Sequence, residues 1–353
     1  MALKSKVAVT GPVPPTPTAM KDVPQIVPKE AFVSPLQIAK VASNWVRRCL
    51  ERKVAGLRED FNGGLKKYTT PGMTNVAFTA SNDQNRNRYR DVPCGDNQRV
   101  ILKWPQYAPA PMDYIHANFV SSPISEKRFI CAQGPLDTTV ADFLHMIIQE
   151  ETEVIIMLCN TIEKNQNKCA QYWPEAVNDK LFFTDVEVSM MKNTGTIGGD
   201  ASVRKNELRL RWKGKGGKIL SRSVLHIHWQ DWPDRGVPPT SATPGALLSS
   251  IRGNRKPIVV HCSAGIGRTG SIVAIECILE KFYYGKECEN MEILLKELRA
   301  QRAWTIQNDA QFLFVHRIVL FNVFDKFRIG ELCPDLIPLY KQFIDDYDAV
   351  TAG

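Results

Sequence analysis

The sequence has no apolar run close to the roughly 18 residues that a membrane-spanning helix needs. Its first six residues also lack the apolar core of a signal peptide. Cysteine occurs nine times, an odd number, and no two cysteines have the Cys-x-x-Cys spacing. Cys131, Cys159 and Cys277 lie within apolar runs, which is typical of reduced thiols. We therefore expect no membrane span, no disulfide framework and a cytoplasmic location, with the nucleus as the alternative.

Long runs of Lys and Arg like those of a nucleic-acid-binding arm are also missing, and we expect no nucleic-acid partner. Positive charge is nevertheless in excess, since the formal net charge is +8 and the sequence pI is about 9.0. A basic balance suits anionic partners such as phosphate esters, acidic peptides, nucleic acid or anionic lipid, without choosing among them. With 353 residues, 44% of them hydrophobic, the chain can form one large core or two modest ones.

Proline is concentrated at the N-terminus, where it fills six of the first 30 positions. Residues 1–33 therefore predict a disordered or polyproline-like tail, which is either a plain linker or a PxxP ligand for a partner domain. The folded part begins at Ser34 and Pro35, which fit the N-cap and the first position of a helix. We expect one folded domain over residues 34–327. The C-terminal tail, residues 328–353, is then either a short docked helix or a frayed end.

Hydrophobic periodicity gives a mixed α and β pattern. Apolar residues at helical spacing predict a packing helix after Ser34, at positions 38, 41, 42, 45, 49 and 50. Residues 153–159 predict a buried strand, and residues 180–229 predict β-hairpins. His226 and His228 alternate along one of those strands. Because a metal site needs further ligands nearby, we interpret both as core or surface histidines.

One stretch carries the chemistry. An apolar run at 258–260 predicts a buried strand, and residues 271–279 have helical composition. Between them, Gly265 and Gly267 allow the backbone to curl around an oxyanion at the start of a helix, where N–H groups lack partners. Arg268 adds a charged fork that fits two phosphate oxygens. The same groups stabilise a thiolate at Cys262, which predicts a cysteine nucleophile aimed at a bound phosphate.

Two other interpretations fit parts of this stretch. A lone buried cysteine after a strand usually serves only packing. The glycines at 265, 267 and 270 also spell the Gly-x-Gly-x-x-Gly of a dinucleotide-binding loop. That motif needs a second strand that ends in an acidic residue about 20 positions on. Glu287 and Glu289 are present, but a polar, glycine-interrupted segment leads to them, which argues against a nucleotide site.

Residues 261–270, with the sequence His-Cys-Ser-Ala-Gly-Ile-Gly-Arg-Thr-Gly, resemble the signature loop of the protein tyrosine phosphatases, His-Cys-x5-Arg-Ser/Thr. The resemblance spans about residues 35–325 and is to the non-receptor, tyrosine-specific, cysteine-based enzymes. It implies that residues 34–327 are the catalytic domain, a single α/β domain with a twisted mixed β-sheet flanked by helices. It also implies phosphotyrosine-containing proteins as partners, and no metal or cofactor.

Residues 85–92 resemble the phosphotyrosine-recognition loop of the family. The resemblance implies that Tyr89 stacks on the phenyl ring of the substrate and that Asp91 accepts hydrogen bonds from substrate backbone amides. Such a ring wall makes the pocket deep. Phosphoserine would then be too short to reach the cysteine from the rim of the pocket.

Residues 163–174 resemble a further block. By that match Glu163 pairs with Arg268 and holds its guanidinium in place. Lys168 meets the mobile loop that carries the general acid, Asp234, when that loop closes. Residues 113–118 and 133–136 resemble two further family blocks with a structural role, and both regions deviate from the family pattern. His116 stands where the family usually has asparagine, and Leu144 where it usually has tryptophan. Because Leu144 removes a large ring from a core position, we expect local repacking there without loss of chemistry.

The mechanism that the resemblance implies begins with in-line attack of Cys262 on phosphorus. Asp234, in the sequence Trp-Pro-Asp, protonates the departing tyrosine oxygen, and afterwards takes a proton from a water that Gln307 and Gln311 position. Thr269 donates a hydrogen bond to the cysteine sulfur as it leaves. His261 supports the nucleophile without direct proton transfer. The equatorial phosphate oxygens are bound by the loop residues Ser263, Ala264, Gly265, Ile266, Gly267 and Arg268.

Two alternative functions share some of these sequence features. A catalytically inactive phosphotyrosine-binding module would be expected to lack the cysteine or the acid, and this chain has both Cys262 and Asp234. Dual-specificity and lipid phosphatases share the Cys-x5-Arg loop, but they lack the Tyr89 block and the Trp-Pro-Asp context. The sequence therefore favours a protein-tyrosine phosphatase.

Overall fold

The computed structural model describes residues 33–103, 113–239 and 242–351. The tail predicted for residues 1–33, including the PxxP alternative, lies outside the described residues except for Val33. Within the described residues the helices are α1 (Pro35–Gly63), α2 (Val76–Ala80), α3 (Val140–Gln149), α4 (Ala242–Ile251), α5 (Arg268–Tyr283), α6 (Met291–Gln301), α7 (Asp309–Lys326), α8 (Ile329–Leu332) and α9 (Leu336–Thr351). The strands are β1 (Arg99–Ile101), β2 (Tyr114–Val120), β3 (Phe129–Ala132), β4 (Val154–Met157), β5 (Ile162–Glu163), β6 (Gln166–Asn167), β7 (Lys180–Phe183), β8 (Val186–Ile197), β9 (Asp200–Lys213), β10 (Ile219–Trp229) and β11 (Ile258–His261).

Nine of these strands form one mixed sheet in the order β1-β2-β3-β11-β4-β10-β9-β8-β7. The four central strands, β3, β11, β4 and β10, run parallel, and the outer strands pair antiparallel. All four residues of β11 are buried, as expected of a central parallel strand. Residue 262 therefore emerges at the carboxyl end of the strand, where ligands of α/β sheets bind. The predicted mixed sheet flanked by helices is confirmed.

Helices cover the sheet. α5 packs against β11 and β3, and α7 packs against α1, α4 and α5. The predicted start of α1 is confirmed, since the Ser34 hydroxyl accepts a hydrogen bond from the Gln37 N–H at 3.2 Å and Pro35 holds the first helical position. The apolar face predicted for this helix is buried. No helix of the described residues is both long enough and apolar enough to cross a membrane.

The segment after residue 327 is helical. α9 packs against α1 and α7, and it buries Leu336, Phe343 and Tyr347. Tyr340 of α9 stacks on Phe324 of α7 with ring centroids 4.1 Å apart. Of the two arrangements left open for this segment, the docked helix is the one observed.

The two departures from the family pattern pack into the interior. His116 is buried, donates a hydrogen bond from Nε2 to the Val92 carbonyl oxygen at 2.8 Å, and lies edge-on to the Phe78 ring. Because a carbonyl oxygen only accepts, Nε2 carries the proton. Leu144 is buried as well.

Buried histidines make the stability of the domain sensitive to acid. Burial lowers the pKa of His116 and His261 to about 3, and that of His228 and His316 to about 4. In the unfolded chain each would titrate near about 6.5, so the unfolded state binds more protons below that pH. The stabilisation is complete above about pH 6.5 and is lost as the pH falls towards the folded-state values.

We expect the free energy of unfolding to fall by several kcal/mol between about pH 7 and pH 5, since each such histidine contributes up to about 1.4 kcal/mol per pH unit. His116→Asn removes one titrating group and keeps a donor for the Val92 carbonyl. The variant should therefore lose less stability per pH unit than the wild type. Urea unfolding over a pH series measures both slopes, and equal slopes would show that His116 does not gain a proton on unfolding.

Candidate active site

The loop between β11 and α5 is shaped by a glycine in the left-handed region. Gly265 has φ +68°, and a Cβ there would lie 2.0 Å from the Ala132 carbonyl oxygen, so no other residue fits. In this conformation the Gly265 N–H donates to the Cys262 sulfur at 3.2 Å. The sequence Cys-Ser-Ala-Gly-Ile-Gly thus folds into a cradle of inward-pointing amides at the N-terminus of α5.

Arg302 holds the outer side of this cradle. Its Nε donates to the Gly265 carbonyl at 3.1 Å, and its Nη2 donates to the Ala264 carbonyl at 3.0 Å. The remaining nitrogen, Nη1, donates to Oδ1 of Asn118 at 2.8 Å. Because Arg302 binds the Gly265 and Ala264 carbonyls on the side away from the cavity, the N–H groups of the loop can face the cavity. Arg302 had no predicted role, because an arginine that ends an amphipathic helix is usually a solvated charge.

Arg268 is almost fully buried, and Glu163 fixes its position. Nη1 and Nη2 donate to the two Glu163 carboxylate oxygens at 2.7 and 2.8 Å, a bidentate pair. Nη1 also donates to the Trp232 carbonyl at 2.9 Å. Glu163 lies in the short β5–β6 hairpin, which turns through Lys164 and Asn165 at positive φ. The predicted contact of Glu163 with Arg268 is therefore present across 105 positions of sequence.

Asp234 lies over the cradle. Its Oδ2 accepts from Lys168 Nζ at 2.9 Å, and its Oδ1 lies 3.4 Å from Arg268 Nη2. Burial raises the pKa of the Asp234 carboxyl, but the hydrogen bond from Lys168 and the positive charge of Arg268 outweigh it. The pKa therefore lies below its ordinary value, and the carboxyl is ionised when the cavity holds no anion.

The Asp234 loop is anchored at both ends. Trp232 is buried between Trp229 and Phe314, with ring centroids 4.9 and 5.1 Å away, and its Nε1 donates to the Gly236 carbonyl at 3.1 Å. Beyond Asp234, the Arg235 carbonyl accepts from Asn308 Nδ2 at 2.8 Å. These contacts hold the loop where Asp234 reaches Lys168 and Arg268.

Tyr89 forms one wall of the cavity. Its hydroxyl lies 2.8 Å from the Ser263 hydroxyl. The neighbouring Arg88 fixes the loop, since its N–H donates to Gln133 Oε1 at 2.9 Å and its Nη2 donates to the Pro135 carbonyl at 2.7 Å. Asp91 is exposed at the rim of the cavity. Arg88 had no predicted role.

Gln307 and Gln311 line the cavity on the side of α7. The Gln307 N–H donates to Gln311 Oε1 at 3.0 Å, and the Gln311 N–H donates to Oδ1 of Asn308, the N-cap of α7, at 2.9 Å. A Cβ at Gly267 would lie 2.8 Å from the Gln311 side-chain amide. Because Gly267 has no side chain, the Gln311 amide can approach the cradle.

A chain of buried polar groups supports the loop from behind. The Tyr172 hydroxyl lies 2.8 Å from Nε2 of His261 and 2.8 Å from Nε2 of His226, and His261 Nδ1 lies 3.3 Å from the Cys262 carbonyl oxygen. Burial lowers the pKa of His261 to about 3, so the ring is neutral. The Nδ1 proton then points at the carbonyl, and Nε2 accepts from the tyrosine. His228 forms a hydrogen bond with the Cys159 carbonyl. His226 and His228 are therefore both buried core histidines, one of the two interpretations given for them from the sequence.

Most of the predicted site residues line one cavity of about 370 Å³. They are Tyr89, Asp91, Lys168, Asp234, Cys262, Ser263, Ala264, Gly267, Arg268, Gln307 and Gln311. Four residues without a predicted role also line it: Val92, Lys164, Gln166 and Arg235. Gly265 and Ile266 shape the loop without lining the cavity, and Glu163 and His261 act from behind it. Thr269 is fully buried, and its hydroxyl has no hydrogen-bond partner among the residues that the structure describes. The contact predicted between Thr269 and the cysteine sulfur is thus not formed in this state.

The chain matches the family model for protein-tyrosine phosphatase over residues 83–321. It is 32% identical over 280 residues to the tyrosine-protein phosphatase Lar-like of Caenorhabditis elegans, covering 77% of this chain and 12% of that relative. It is 33% identical over 303 residues to the human tyrosine-protein phosphatase non-receptor type 12, covering 80% of this chain and 37% of that relative. A structure of PTPN18 in complex with HER2-pY1196 phosphopeptides is similar with a TM-score of 0.70 and 25% identity, covering 79% of this chain and 98% of that chain.

The chain thus spans well under two thirds of the length of these curated relatives. The matched segment contains every residue that lines the cavity, from Tyr89 to Gln311. The chain belongs to the protein-tyrosine phosphatase family.

Proposed function

We propose that the chain hydrolyses phosphotyrosine in proteins through a phosphocysteine intermediate. One observation carries this proposal: a cysteine sulfur, an arginine fork and a carboxylate converge on a single cavity of about 370 Å³. A nucleophile, an anion-binding group and a proton donor are the three parts that cysteine-based phosphoryl transfer needs.

Cys262 attacks the phosphorus atom in line with the bond to the tyrosine oxygen. The sulfur sits inside the amide cradle and accepts from the Gly265 N–H, so positive partial charge surrounds it. The P–O bond breaks as the S–P bond forms. The electron pair of the broken bond goes to the tyrosine oxygen, which must receive a proton.

Arg268 and the loop amides bind the equatorial oxygens of the phosphoryl group. These donors are fixed before substrate arrives, because Glu163 holds the guanidinium and Arg302 holds the loop carbonyls. Fixed donors stabilise the charge of the transition state without a reorganisation cost. The rigidity of the cradle is therefore part of the catalytic effect.

Asp234 supplies the proton to the tyrosine oxygen. In the empty cavity the Lys168 ammonium and Arg268 hold the pKa of its carboxyl below its ordinary value after the opposing effect of burial. A bound phosphate dianion places negative charge beside the carboxyl and competes for Arg268. Both effects raise the pKa of Asp234 towards the value that a proton donor needs.

Hydrolysis of the phosphocysteine completes the cycle. Gln311 and Gln307 line the cavity beside Gly267 and orient the attacking water, and ionised Asp234 takes its proton. The S–P bond breaks, and the sulfur leaves as a thiolate. The buried hydroxyl of Thr269, which has no hydrogen-bond partner among the described residues, is then available to donate to that sulfur.

Phosphotyrosine-containing proteins are the partner class that we infer. PTPN18 was solved with a HER2 phosphopeptide, and the same kind of partner suits the Tyr89 wall and the exposed Asp91 of this chain. A PxxP-binding partner for the N-terminal tail stays a proposal. The nine cysteines are all unpaired, which favours action in a reducing compartment such as the cytoplasm.

Turnover of a phosphotyrosine peptide by the purified chain tests the function. The matched substrate is the same peptide with phosphoserine in place of phosphotyrosine. Release of phosphate from the first peptide and not from the second supports a tyrosine-specific phosphatase. Binding of the first peptide without release of phosphate would support the inactive phosphotyrosine-binding module instead.

Replacement of Tyr89 by alanine should reduce the preference for phosphotyrosine over phosphoserine. The ring contributes about 1 kcal/mol of aromatic contact and also the depth of the pocket, so we expect about tenfold or more loss in kcat/KM for phosphotyrosine. Tyr89→Phe is the matched control, since it removes only the hydroxyl that lies beside Ser263. An alanine variant with unchanged preference would rule out Tyr89 as the source of specificity.

A further inference from the structure

The excess positive charge of the chain is concentrated in one part of the fold. Residues 180–229, which span β7 to β10, contain ten Lys and Arg but four Asp and Glu, a net charge of +6. The whole chain carries +8. The cradle and its cations therefore do not account for the net positive charge of the chain, because Arg268 and Lys168 lie outside this segment.

The strand register places four of these ten cations on one face. Across the four strands, Phe182 lies opposite Glu187, Glu187 opposite Arg211, and Arg211 opposite Ser221. Side chains two positions along a strand share a face, so the same face carries further residues. We call it the basic ribbon face; its cations are Lys180, Arg209, Arg211 and Lys213, and its large apolar residues are Phe182 and Ile219.

The opposite side of these strands is packed into the core. Val188, Leu210 and Trp212 alternate with the residues of the basic ribbon face and are buried. The ribbon is therefore held rigidly, and its outer face is a stable feature of the fold. Two carboxylates share that face: Glu187 is bound by Lys180 at 3.1 Å and by Arg211 at 3.4 Å, and Glu207 is bound by Lys192 at 3.0 Å. Because Lys192 neutralises Glu207, the four cations and Glu187 leave the face with a positive charge.

Two large apolar side chains protrude between the cations. Phe182 is 71% exposed and Ile219 is 51% exposed. Lys213 pairs with Ile219 across the ladder, so apolar and basic groups alternate at close range. Exposed aromatic and aliphatic side chains among Lys and Arg are typical of a surface that meets an anionic membrane interface.

We propose that the basic ribbon face docks on the surface of an anionic lipid membrane. The cations contact the lipid phosphates and carboxylates, and Phe182 and Ile219 insert between the headgroups. The described residues of this face form a broad sheet surface on one side of four strands, which fits a planar partner better than a narrow peptide. An acidic protein segment is the competing occupant, and the experiment distinguishes it.

Docking at this face leaves the catalytic cavity open. β10 runs from Ile219 at the ribbon tip to Trp229, which lies five positions before Asp234. A strand of that length spans about 30 Å. The membrane contact would therefore set the orientation of the enzyme without covering the cavity, and turnover of a soluble phosphopeptide should not depend on it.

Vesicle co-sedimentation of the full chain tests the proposal. We expect binding to phosphatidylcholine vesicles that contain about 30% phosphatidylserine, and no binding to pure phosphatidylcholine. The triple variant R209Q/R211Q/K213Q should bind about 100-fold more weakly, since each cation near the surface contributes about fivefold. Phe182→Ser combined with Ile219→Ser should weaken binding about tenfold or more at constant charge. Binding should also weaken as the salt concentration rises from about 0.1 M to 0.5 M.

The matched control is K40Q/K286Q/K341Q, which removes three exposed cations from other parts of the surface. It should bind the anionic vesicles like the wild type, and all variants should hydrolyse a soluble phosphopeptide at the wild-type rate. An equal loss of binding in both triple variants would mean attraction by total charge and would overturn the proposal. Absence of binding to anionic vesicles would overturn it too, and binding to a poly-glutamate peptide alone would assign the face to an acidic protein partner.

Discussion

Replacement of Cys262 by serine is expected to abolish turnover of a phosphotyrosine peptide while leaving the peptide bound. The serine hydroxyl is not ionised at neutral pH, so the nucleophile is lost, and we expect the rate to fall by at least roughly 10⁴-fold. The amide cradle and the Arg268 fork stay in place, because Glu163 and Arg302 hold them independently of the sulfur. Steady-state kinetics measures the first effect, and calorimetric titration with the peptide measures the second.

Cys333→Ser is the matched control, since Cys333 is an unpaired cysteine that lies outside the cavity. It should retain wild-type kinetics. Substantial turnover by the Cys262 variant would show that another group attacks phosphorus. Loss of peptide binding together with turnover would show that the substitution had disturbed the cradle, and retention of the wild-type unfolding temperature would then separate a local effect from misfolding.

Replacement of Asp234 by asparagine should lower kcat by about 10²–10⁴-fold, the usual contribution of a positioned proton donor. Asparagine keeps the size of the side chain but cannot deliver a proton to the tyrosine oxygen. The loss should be smaller for an aryl phosphate whose phenol leaves without a proton. The kcat of the wild type should decline as the pH rises and Asp234 in the complex loses its proton, and the variant should lack that decline.

Asp231→Asn is the matched control for this experiment, because Asp231 is exposed and lies three positions before Asp234. It should leave both kcat and its pH profile unchanged. An Asp234 variant with the full wild-type rate on a phosphotyrosine peptide near neutral pH would exclude the carboxyl as the general acid. The proton would then have to come from another group that lines the cavity.

Sequence alone was most informative where the chemistry lies in consecutive residues. The cradle, its nucleophile and its arginine all fall within residues 261–270, so strand, loop and helix start could be placed from local rules. The start of α1 was also predicted correctly, because capping by Ser34 depends on residues three positions apart. Local hydrogen bonding leaves a local sequence signature.

Contacts between distant segments have no such signature. The pair of Glu163 with Arg268 could be expected only through the family resemblance. Arg302 and Tyr172 were missed as supports of the cradle, since a buried arginine looks like a surface charge in sequence and a buried tyrosine looks like core. The order of the nine strands likewise depends on pairings across the whole chain. These features follow from tertiary packing, which spacing along the sequence does not encode.

Trapping of the reaction intermediate is the most direct test of the central claim. The full chain would be mixed with a phosphotyrosine peptide, quenched in acid within a single turnover, digested and mapped by mass spectrometry. We predict a phosphate on the peptide that carries Cys262, which appears as the dephosphorylated tyrosine peptide is released, decays as phosphate is released, and is absent from Cys262→Ser. Release of phosphate by the wild type with no phosphorylated cysteine at any quench time, or with the phosphate on another residue, would contradict the proposed mechanism.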